Sequence, residues 1–324
     1  MATISDVAAL AGVSVATVSR ALNGKASVDR TLAERVKAAA DELGYQPNGL
    51  ARSLRKRRTS VLALIISDVE NPFFTAIARG VEDVALTAGH SVVLCNSDEK
   101  LEKERRYLDV AVEEQVAGVV LSPTGAATDV TALRRRGTPV VAVDRPLEGA
   151  DQVLVDSRAA AREATAHLQA AGYTRIGCVT GPAGIATADQ RLAGWRDATG
   201  AAHELARNAE YRADGAHRAA TELLSGPDPV DALLVGNNAQ AVGVLQAIRE
   251  SGRRVGRDVG IVAFDDAPWT TLIDPPLTVV AQPAYEMGAA AARMLLDRIA
   301  DGGHAPVTRT LAARLVERGS SRRS

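Results

Sequence analysis

The first 22 residues constrain the fold of this chain most strongly, because they carry two sets of helix signals around a single glycine. Thr3 is a good N-cap residue, and Asp6 stands three positions later, where it completes a capping box. Gly12 ends that helix, and Ser14 offers the cap of a second one. Two short capped helices around a glycine turn predict a helix-turn-helix, although a helical hairpin in an ordinary bundle has the same spacing.

The second of these helices has the side chains that a DNA groove requires. The small residues Val15, Ala16 and Thr17 at its start allow close approach to base edges, where their methyl groups can meet thymine methyls. Arg20 is long enough to reach a guanine edge or a phosphate. The stretch therefore predicts a DNA-reading head.

Charge is divided unevenly along the 324 residues. Residues 1–60 contain ten Lys/Arg against five Asp/Glu, and the remainder contains 28 against 34, so a total charge of −1 hides a basic head on a mildly acidic body. This asymmetry is expected when only the head meets a polyanion, whereas a merely solvated basic face is the alternative.

The run D-V-A-x-x-A-G-V-S-x-x-T-V-S-R, from Asp6 to Arg20, resembles the amino-terminal signature of the LacI family of bacterial transcriptional repressors. Further family motifs recur as far as Arg318, so the resemblance covers nearly the whole chain. The residues that it implies for DNA contact are Thr3, Ser14, Val15, Ala16, Thr17, Ser19, Arg20, Asn23, Asn48, Arg52 and Leu54. Residues 48–54 would form a hinge helix on the operator, with Leu54 wedged into the minor groove, unless they are only a charged linker.

From Val61 onward, short apolar runs alternate with amphipathic stretches of helical period in two successive series. This alternation predicts two parallel α/β lobes, and the resemblance implies the architecture of periplasmic sugar-binding proteins. The fold class is therefore α/β, with a small all-α head. We predict a head at 1–47, a hinge at 48–59 and a body at 60–324, with a first lobe at about 60–156 and 284–307 and a second lobe at about 157–283 and 308–318.

The candidate binding residues of the body follow its predicted strands. Open parallel sheets bind ligands beyond the carboxyl ends of their strands, and carboxylates, amides, an arginine and aromatic rings suit a polyhydroxylated ligand. From these positions and from the resemblance, the residues expected to bind a sugar or related effector are Phe73, Phe74, Asp144, Arg191, Asn237, Asp265, Trp269 and Gln282. Each also has a structural interpretation, as a turn cap, a backbone partner or helix core.

One departure from the family pattern lies beside this set. The family usually has Asn-Asp where this chain has Asn237-Asn238, so one carboxylate is missing beside the predicted cleft. The change keeps an acceptor but removes a charge, and it affects either the choice of effector or the contacts between the lobes.

Several classes of protein are disfavoured by the sequence. No apolar run approaches the roughly 18 residues of a membrane span, and the start MATISDVA lacks a signal-peptide pattern, so we expect a cytoplasmic protein without a membrane partner. The two cysteines and five histidines show no metal-ligand spacing, and no cofactor motif is present. The absence of a G-x-S-x-G elbow or a P-loop argues against an α/β enzyme with a DNA-binding head.

The sequence therefore predicts a repressor that binds a palindromic operator as a homodimer and responds to a small effector, a sugar or related metabolite, bound in the cleft between the lobes. No leucine heptads follow the final predicted strand, LVERGSS, so a dimer is expected rather than a tetramer. A regulator controlled by a protein coregulator docked on the lobes is the alternative within the same class.

Overall fold

The computed structural model describes residues 2–22, 28–45, 59–200, 203–303 and 305–323. The chain divides into two compact units, Met1–Thr59 and Ser60–Ser324. We refer to them as the head and the body.

Three helices form the described part of the head: α1 (Ile4–Ala11), α2 (Val15–Leu22) and α3 (Arg30–Glu42). Their inward faces meet in a small core of Val7, Ala8, Ala11, Val18, Val36, Ala39 and Ala40. Leu10, although apolar, is 47% exposed. Leu10 is exposed because it lies about 100° round the helix from the buried face, which is centred between Val7 and Ala8.

No single helix within the described ranges is both long and apolar enough to cross a membrane. The segments Ile4–Leu10 and Val15–Leu22 reach the required length and composition only as a pair, across a bend of 99°.

The first lobe of the body is a six-stranded parallel sheet in the order β11-β5-β4-β3-β1-β2. Its strands are β1 (Val61–Ile66), β2 (Ser91–Asn96), β3 (Gly118–Leu121), β4 (Val140–Val143), β5 (Asp151–Val155) and β11 (Thr308–Leu311). Its helices are α4 (Pro72–Thr87), α5 (Leu101–Glu113), α6 (Thr131–Arg135) and α11 (Ala284–Asp301). The central strands are almost continuously apolar because α4 and α11 cover one face and α5 and α6 cover the other.

The second lobe repeats this plan in the order β12-β10-β9-β8-β6-β7, with only β12 antiparallel. Its strands are β6 (Ile176–Thr180), β7 (Ala206–Asn208), β8 (Ala232–Val235), β9 (Gly260–Phe264), β10 (Thr278–Ala281) and β12 (Arg314–Val316). Its helices are α7 (Ser157–Ala170), α8 (Ala186–Thr199), α9 (Ala213–Ser225) and α10 (Asn238–Glu250).

The prediction that residues 308–318 belong to the second lobe is wrong for its first part. Thr308–Leu311 forms β11, which pairs in parallel with β5 at the edge of the first sheet. The chain therefore crosses to the second lobe between Leu311 and Arg314 rather than near Thr308. The error arose because β5 itself was not predicted, so the sequence offered no partner for β11 in the first lobe.

A pair of glycines allows α4 and α11 to pack closely against each other. A Cβ atom on Gly80 would lie 2.1 Å from the carbonyl oxygen of Tyr285, and one on Gly288 would lie 2.1 Å from that of Ile77. The two helix backbones therefore touch where these glycines meet, and this contact fixes α4, whose first turn reaches the cleft between the lobes.

Candidate functional site

The predicted caps of the head are confirmed. Thr3 Oγ1 accepts the Asp6 backbone N–H at 3.3 Å, and the Asp6 carboxylate accepts the Thr3 N–H at 2.7 Å. Ser14 Oγ accepts the Thr17 N–H at 3.1 Å, which fixes the first turn of α2. The helix-turn-helix is thus built by the residues that the sequence identified.

The outer face of α2 presents small side chains and one cation. Val15, Ala16 and Arg20 are exposed, Thr17 and Ser19 are partly exposed, and the buried residue of this helix is Val18. The predicted contacts from Asn23, Asn48, Arg52 and Leu54 lie outside the described residues, as does most of the predicted hinge at 48–59.

A cavity lies between the lobes, at the carboxyl ends of their strands, with about 20 Å³ of space for the centres of water-sized molecules. Seven of the eight predicted effector residues line it: Phe73, Phe74, Asp144, Arg191, Asn237, Asp265 and Gln282. This space is room for about one water molecule, so binding of a larger ligand requires the lobes to move apart or the lining side chains to rearrange. The strand-end rule therefore located one continuous cavity.

Trp269 does not line this cavity. It lies in a 3₁₀ turn, Pro268–Thr271, and lines an outer groove between the lobes instead. Trp269 is five residues beyond the end of β9, so the turn that Pro268 begins has already left the sheet edge.

Six residues that were not on the predicted list also line the cavity: Asp68, Asn71, Glu99, Arg145, Thr187 and Tyr211. Asp68 and Asn71 lie in the loop after β1, and Arg145 directly follows the predicted Asp144. Tyr211 had no comparable signal, because the short strand β7 that precedes it was not predicted.

The two lobes contribute one buried aspartate each, in equivalent positions. Asp144 directly follows β4 and Asp265 directly follows β9, and both have left-handed backbones, with φ of 70° and 72°. The Asp144 N–H donates to the Val153 carbonyl at 3.1 Å, and the Asp265 N–H donates to the Val280 carbonyl at 3.0 Å. The same strand-end geometry thus places a carboxylate at the cavity from each side of the cleft.

Burial disfavours the charge on both carboxylates. It raises the pKa of Asp144 to about 6, against the opposing effect of the Arg145 and Arg191 guanidinium groups. Burial also raises the pKa of Asp265, although Arg191 and a 2.7 Å hydrogen bond from the Gln282 amide favour the ionised form. A ligand that donates hydrogen bonds to these oxygens would stabilise the ionised carboxylates.

Two buried arginines complete the polar wall of the cavity. Arg145 donates to both oxygens of Glu99, at 2.6 and 2.7 Å, and this pairing raises the pKa of Arg145 against the effect of burial. Arg191 donates to the Gly236 carbonyl at 2.5 Å, and its guanidinium carbon lies 4.1 Å from the Phe264 ring centroid. The Arg145 Nε atom lies 3.5 Å from Asp144 Oδ2, within ion-pair distance, and the Arg191 Nε atom has no hydrogen-bond partner among the described residues.

The remaining side chains shape the cavity. Phe73 and Phe74 stand edge to face, with ring centroids 5.1 Å apart. The side-chain Oδ1 atom of Asn237 accepts the Gln240 N–H at 2.8 Å and caps α10, so the side-chain NH₂ group of Asn237 faces the cavity as a donor for a ligand. The Tyr211 hydroxyl lies 3.2 Å from Thr187 Oγ1.

Asn238, the departure from the family pattern, makes a contact between the lobes. Its side-chain amide donates to Asn71 Oδ1 at 2.8 Å in a buried position, and it does not line the cavity. The unusual amide therefore bears on lobe contact more directly than on the ligand.

The head and the body each match a known protein family. Residues 3–48 match the family model "Bacterial regulatory proteins, lacI family", and residues 165–321 match "Periplasmic binding protein-like domain". The ribose operon repressor of Halalkalibacterium halodurans is 39% identical over 303 residues, which are 92% of this chain and 91% of the relative.

Two solved structures are similar over most of the chain. The lac repressor dimer bound to operator and the anti-inducer ONPF is 26% identical with a TM-score of 0.87, and 99% of each chain is covered. A LacI family transcriptional regulator from Enterococcus faecium with bound ribose is 25% identical with a TM-score of 0.71, over 80% of this chain and 98% of the other. On its sequence signature, its fold and these relatives, the chain belongs to the LacI family of bacterial transcriptional regulators.

Proposed function

We propose that this regulator is a repressor whose affinity for a palindromic operator is set by a neutral monosaccharide, with D-ribose as the first candidate. The observation that carries the proposal is the convergence of two buried aspartates and two buried arginines in one small cavity beside Phe73 and Phe74. The names of the relatives support the choice of ribose.

The chemistry of the cavity suits a polyol. Sugar hydroxyl groups donate to carboxylates such as Asp144 and Asp265 and accept from guanidinium N–H groups such as those of Arg145 and Arg191. The apolar face of a sugar ring packs on aromatic rings, which Phe73 supplies.

The charges favour a neutral sugar over a phosphorylated one. Four carboxylates line the cavity, Asp68, Glu99, Asp144 and Asp265, against the guanidinium groups of Arg145 and Arg191. Arg145 already pairs with Glu99 and lies 3.5 Å from Asp144, and Asp68 pairs with Arg212 outside the cavity lining. A phosphate group would therefore compete with carboxylates that already engage these cations.

Calorimetric titration of the full-length protein tests this proposal with D-ribose, D-glucose, cellobiose and ribose 5-phosphate. We expect saturable binding of D-ribose and at least tenfold weaker binding of the other three compounds. Preferred binding of ribose 5-phosphate or of the disaccharide would contradict the neutral-monosaccharide assignment.

The head is proposed to read the operator through α2. In vitro selection of genomic DNA fragments on the full-length protein should enrich a palindrome with half-sites roughly one helical turn apart. The variant Arg20→Ala is the control and should lose that enrichment. Equal enrichment by both proteins would exclude Arg20 from sequence recognition.

The chain is proposed to act as a homodimer in the cytoplasm, where its DNA lies. Strand β2 is at the edge of the first sheet, and Val93 and Leu94 on it are 51% and 44% exposed. Exposed apolar side chains on an edge strand are suited to pairing with a second copy. We infer that the cleft binds its ligand without transforming it, as the names of the relatives indicate.

A further inference from the structure

Arg212 of the second lobe contacts three carboxylates of the first lobe. Its Nη1 atom lies 2.7 Å from Asp68 Oδ2 and 3.6 Å from Glu70 Oε2, and its Nη2 atom lies 2.6 Å from Asp98 Oδ1. We call Arg212, Asp68, Glu70 and Asp98 the mouth cluster. Arg212 itself does not line the effector cavity, whereas it does line the outer groove beside it.

The backbone of the first lobe has an uncommon left-handed conformation next to Arg212. Asp98 and Glu99 follow β2 as two successive left-handed residues, with φ of 55° and 56°. Asp98 pairs with Arg212, and Glu99 pairs with Arg145 inside the cavity. This uncommon backbone thus supplies one carboxylate to the mouth cluster and the next to the effector site.

The second lobe holds the segment 68–74 of the first lobe at two points. Arg212 pairs with Asp68, and Asn238 donates to Asn71 at 2.8 Å. Asn71 caps α4, whose first turn presents Phe73 and Phe74 to the cavity. Contacts across the cleft therefore fix the segment that forms the aromatic wall.

Arg212 is the single cation of the mouth cluster, and the other three members are carboxylates. The outer groove also contains Glu210, Asp214 and Arg218 of the second lobe. Lys100 and Lys103 already pair with Asp98, so neutralisation there is shared, whereas Asp68 forms its ion pair with Arg212. Loss of Arg212 would leave Asp68 and Glu70 in a groove that also holds two acidic residues of the second lobe, with Arg218 as a remaining cation.

We infer that Arg212 is a positioning residue for the effector: it joins the second lobe to segment 68–74 and so sets effector affinity without touching the ligand. The inference rests on the proposed ligand site. In this role, the ion pairs of Arg212 at the mouth of the cleft control the affinity for an uncharged sugar.

The first experiment is titration of the full-length protein with D-ribose at low salt. Arg212→Ala should weaken ribose binding by about tenfold, and Arg212→Lys should lie between it and the wild type, because an ammonium cannot reproduce the fork that engages two carboxylates at once. Arg218→Ala is the matched control, since Arg218 is an exposed cation in the same groove. An unchanged affinity in Arg212→Ala would overturn the inference.

Salt dependence and a double mutant test whether Arg212 acts through its ion pairs or only by supporting the fold. Raising NaCl from 0.05 to 1 M shortens the screening length to about 3 Å, so wild-type affinity should fall, whereas the affinity of Arg212→Ala should stay constant or rise because salt also screens the repulsion between its remaining carboxylates. Asp98→Asn should weaken binding in the wild type but have a smaller effect in the Arg212→Ala background. Equal salt dependence in both proteins, or fully additive effects, would contradict the ion-pair mechanism.

A readout without ligand keeps this test independent of the choice of ribose. Trp195 is fully buried, so acrylamide quenching of tryptophan fluorescence reports Trp269, which lines the same groove as Arg212. Quenching should rise in Arg212→Ala and, with added salt, in the wild type. If ribose fails to bind the wild type but quenching rises in this way, ribose is the wrong effector and the role of Arg212 stands; unchanged quenching overturns that role.

Discussion

Single residues at the strand ends determine the chemistry of the cleft. Asp144 and Asp265 have left-handed backbones that aspartate tolerates better than most residues, and both buried carboxylates line the cavity between the lobes. The sequence indicated these positions because each aspartate directly follows an apolar run. It could not indicate how Arg145 is held, since its partner Glu99 is 46 residues away.

Ribose binding should depend on pH through Asp144. Burial raises the pKa of this carboxyl to about 6, and sugar hydroxyl groups that donate to it favour the ionised form. Affinity should therefore be constant above about pH 7 and fall as the pH drops below 6. Without ligand the sign is reversed, because the raised pKa of Asp144 stabilises the folded protein at low pH and that contribution is lost as the pH rises through 6.

Titration calorimetry between pH 5 and 8 measures this dependence. Asp144→Asn removes the titrating group, so its affinity should be lower overall and nearly independent of pH in this range. The same fall in affinity in both proteins would assign the titration to another group, such as Asp265.

At the scale of helices and strands, the sequence did not predict two short strands, β5 and β7. Strands β5 and β7 have five and three residues, and neither shows the continuous apolar run that identified the central strands. The central strands were found because helices bury both of their faces. Pairing between distant segments, as between β5 and β11, leaves no local pattern, and this explains the misplaced lobe boundary at Thr308.

The packing of α4 on α11 should not tolerate a methyl group at Gly288. A Cβ atom there would lie 2.1 Å from the Ile77 carbonyl oxygen, so Gly288→Ala must move one helix backbone. We expect a loss of about 2–4 kcal/mol in the free energy of unfolding of the body, measured by urea denaturation. Gly303→Ala is the control, because a Cβ atom on Gly303 meets nothing within 4 Å, and a similar loss in both variants would contradict the close-packing argument.

The cap of α2 should matter for the head. Ser14→Ala removes the acceptor for the Thr17 N–H and should cost about 1 kcal/mol of head stability. Operator affinity should fall, because α2 would then order only on binding, while ribose affinity stays constant. Ser5→Ala, at an exposed position of α1, is the comparison, and a drop in ribose affinity for Ser14→Ala would show that the effect is not confined to the head.

For the whole molecule, two functions belong to separate compact units, and each can be removed alone. Arg20 is exposed on α2 of the head, and Arg191 is buried in the cleft of the body. Arg20→Ala should abolish operator binding and leave ribose binding intact. Arg191→Ala removes a buried cation from the effector site, so operator binding should persist without a response to ribose.

Thermodynamic linkage requires that ribose binding and operator binding affect each other equally. If ribose changes operator affinity by a factor in the usual range of about 5–150, the operator must change ribose affinity by the same factor. Fluorescence anisotropy with the selected operator, with and without saturating ribose, gives the first factor, and ribose titration with and without operator gives the second. In Arg191→Ala ribose should leave operator affinity unchanged, and in Arg20→Ala the operator should leave ribose affinity unchanged. Tight ribose binding to the wild type with no change in operator affinity would mean that the cleft does not control the head.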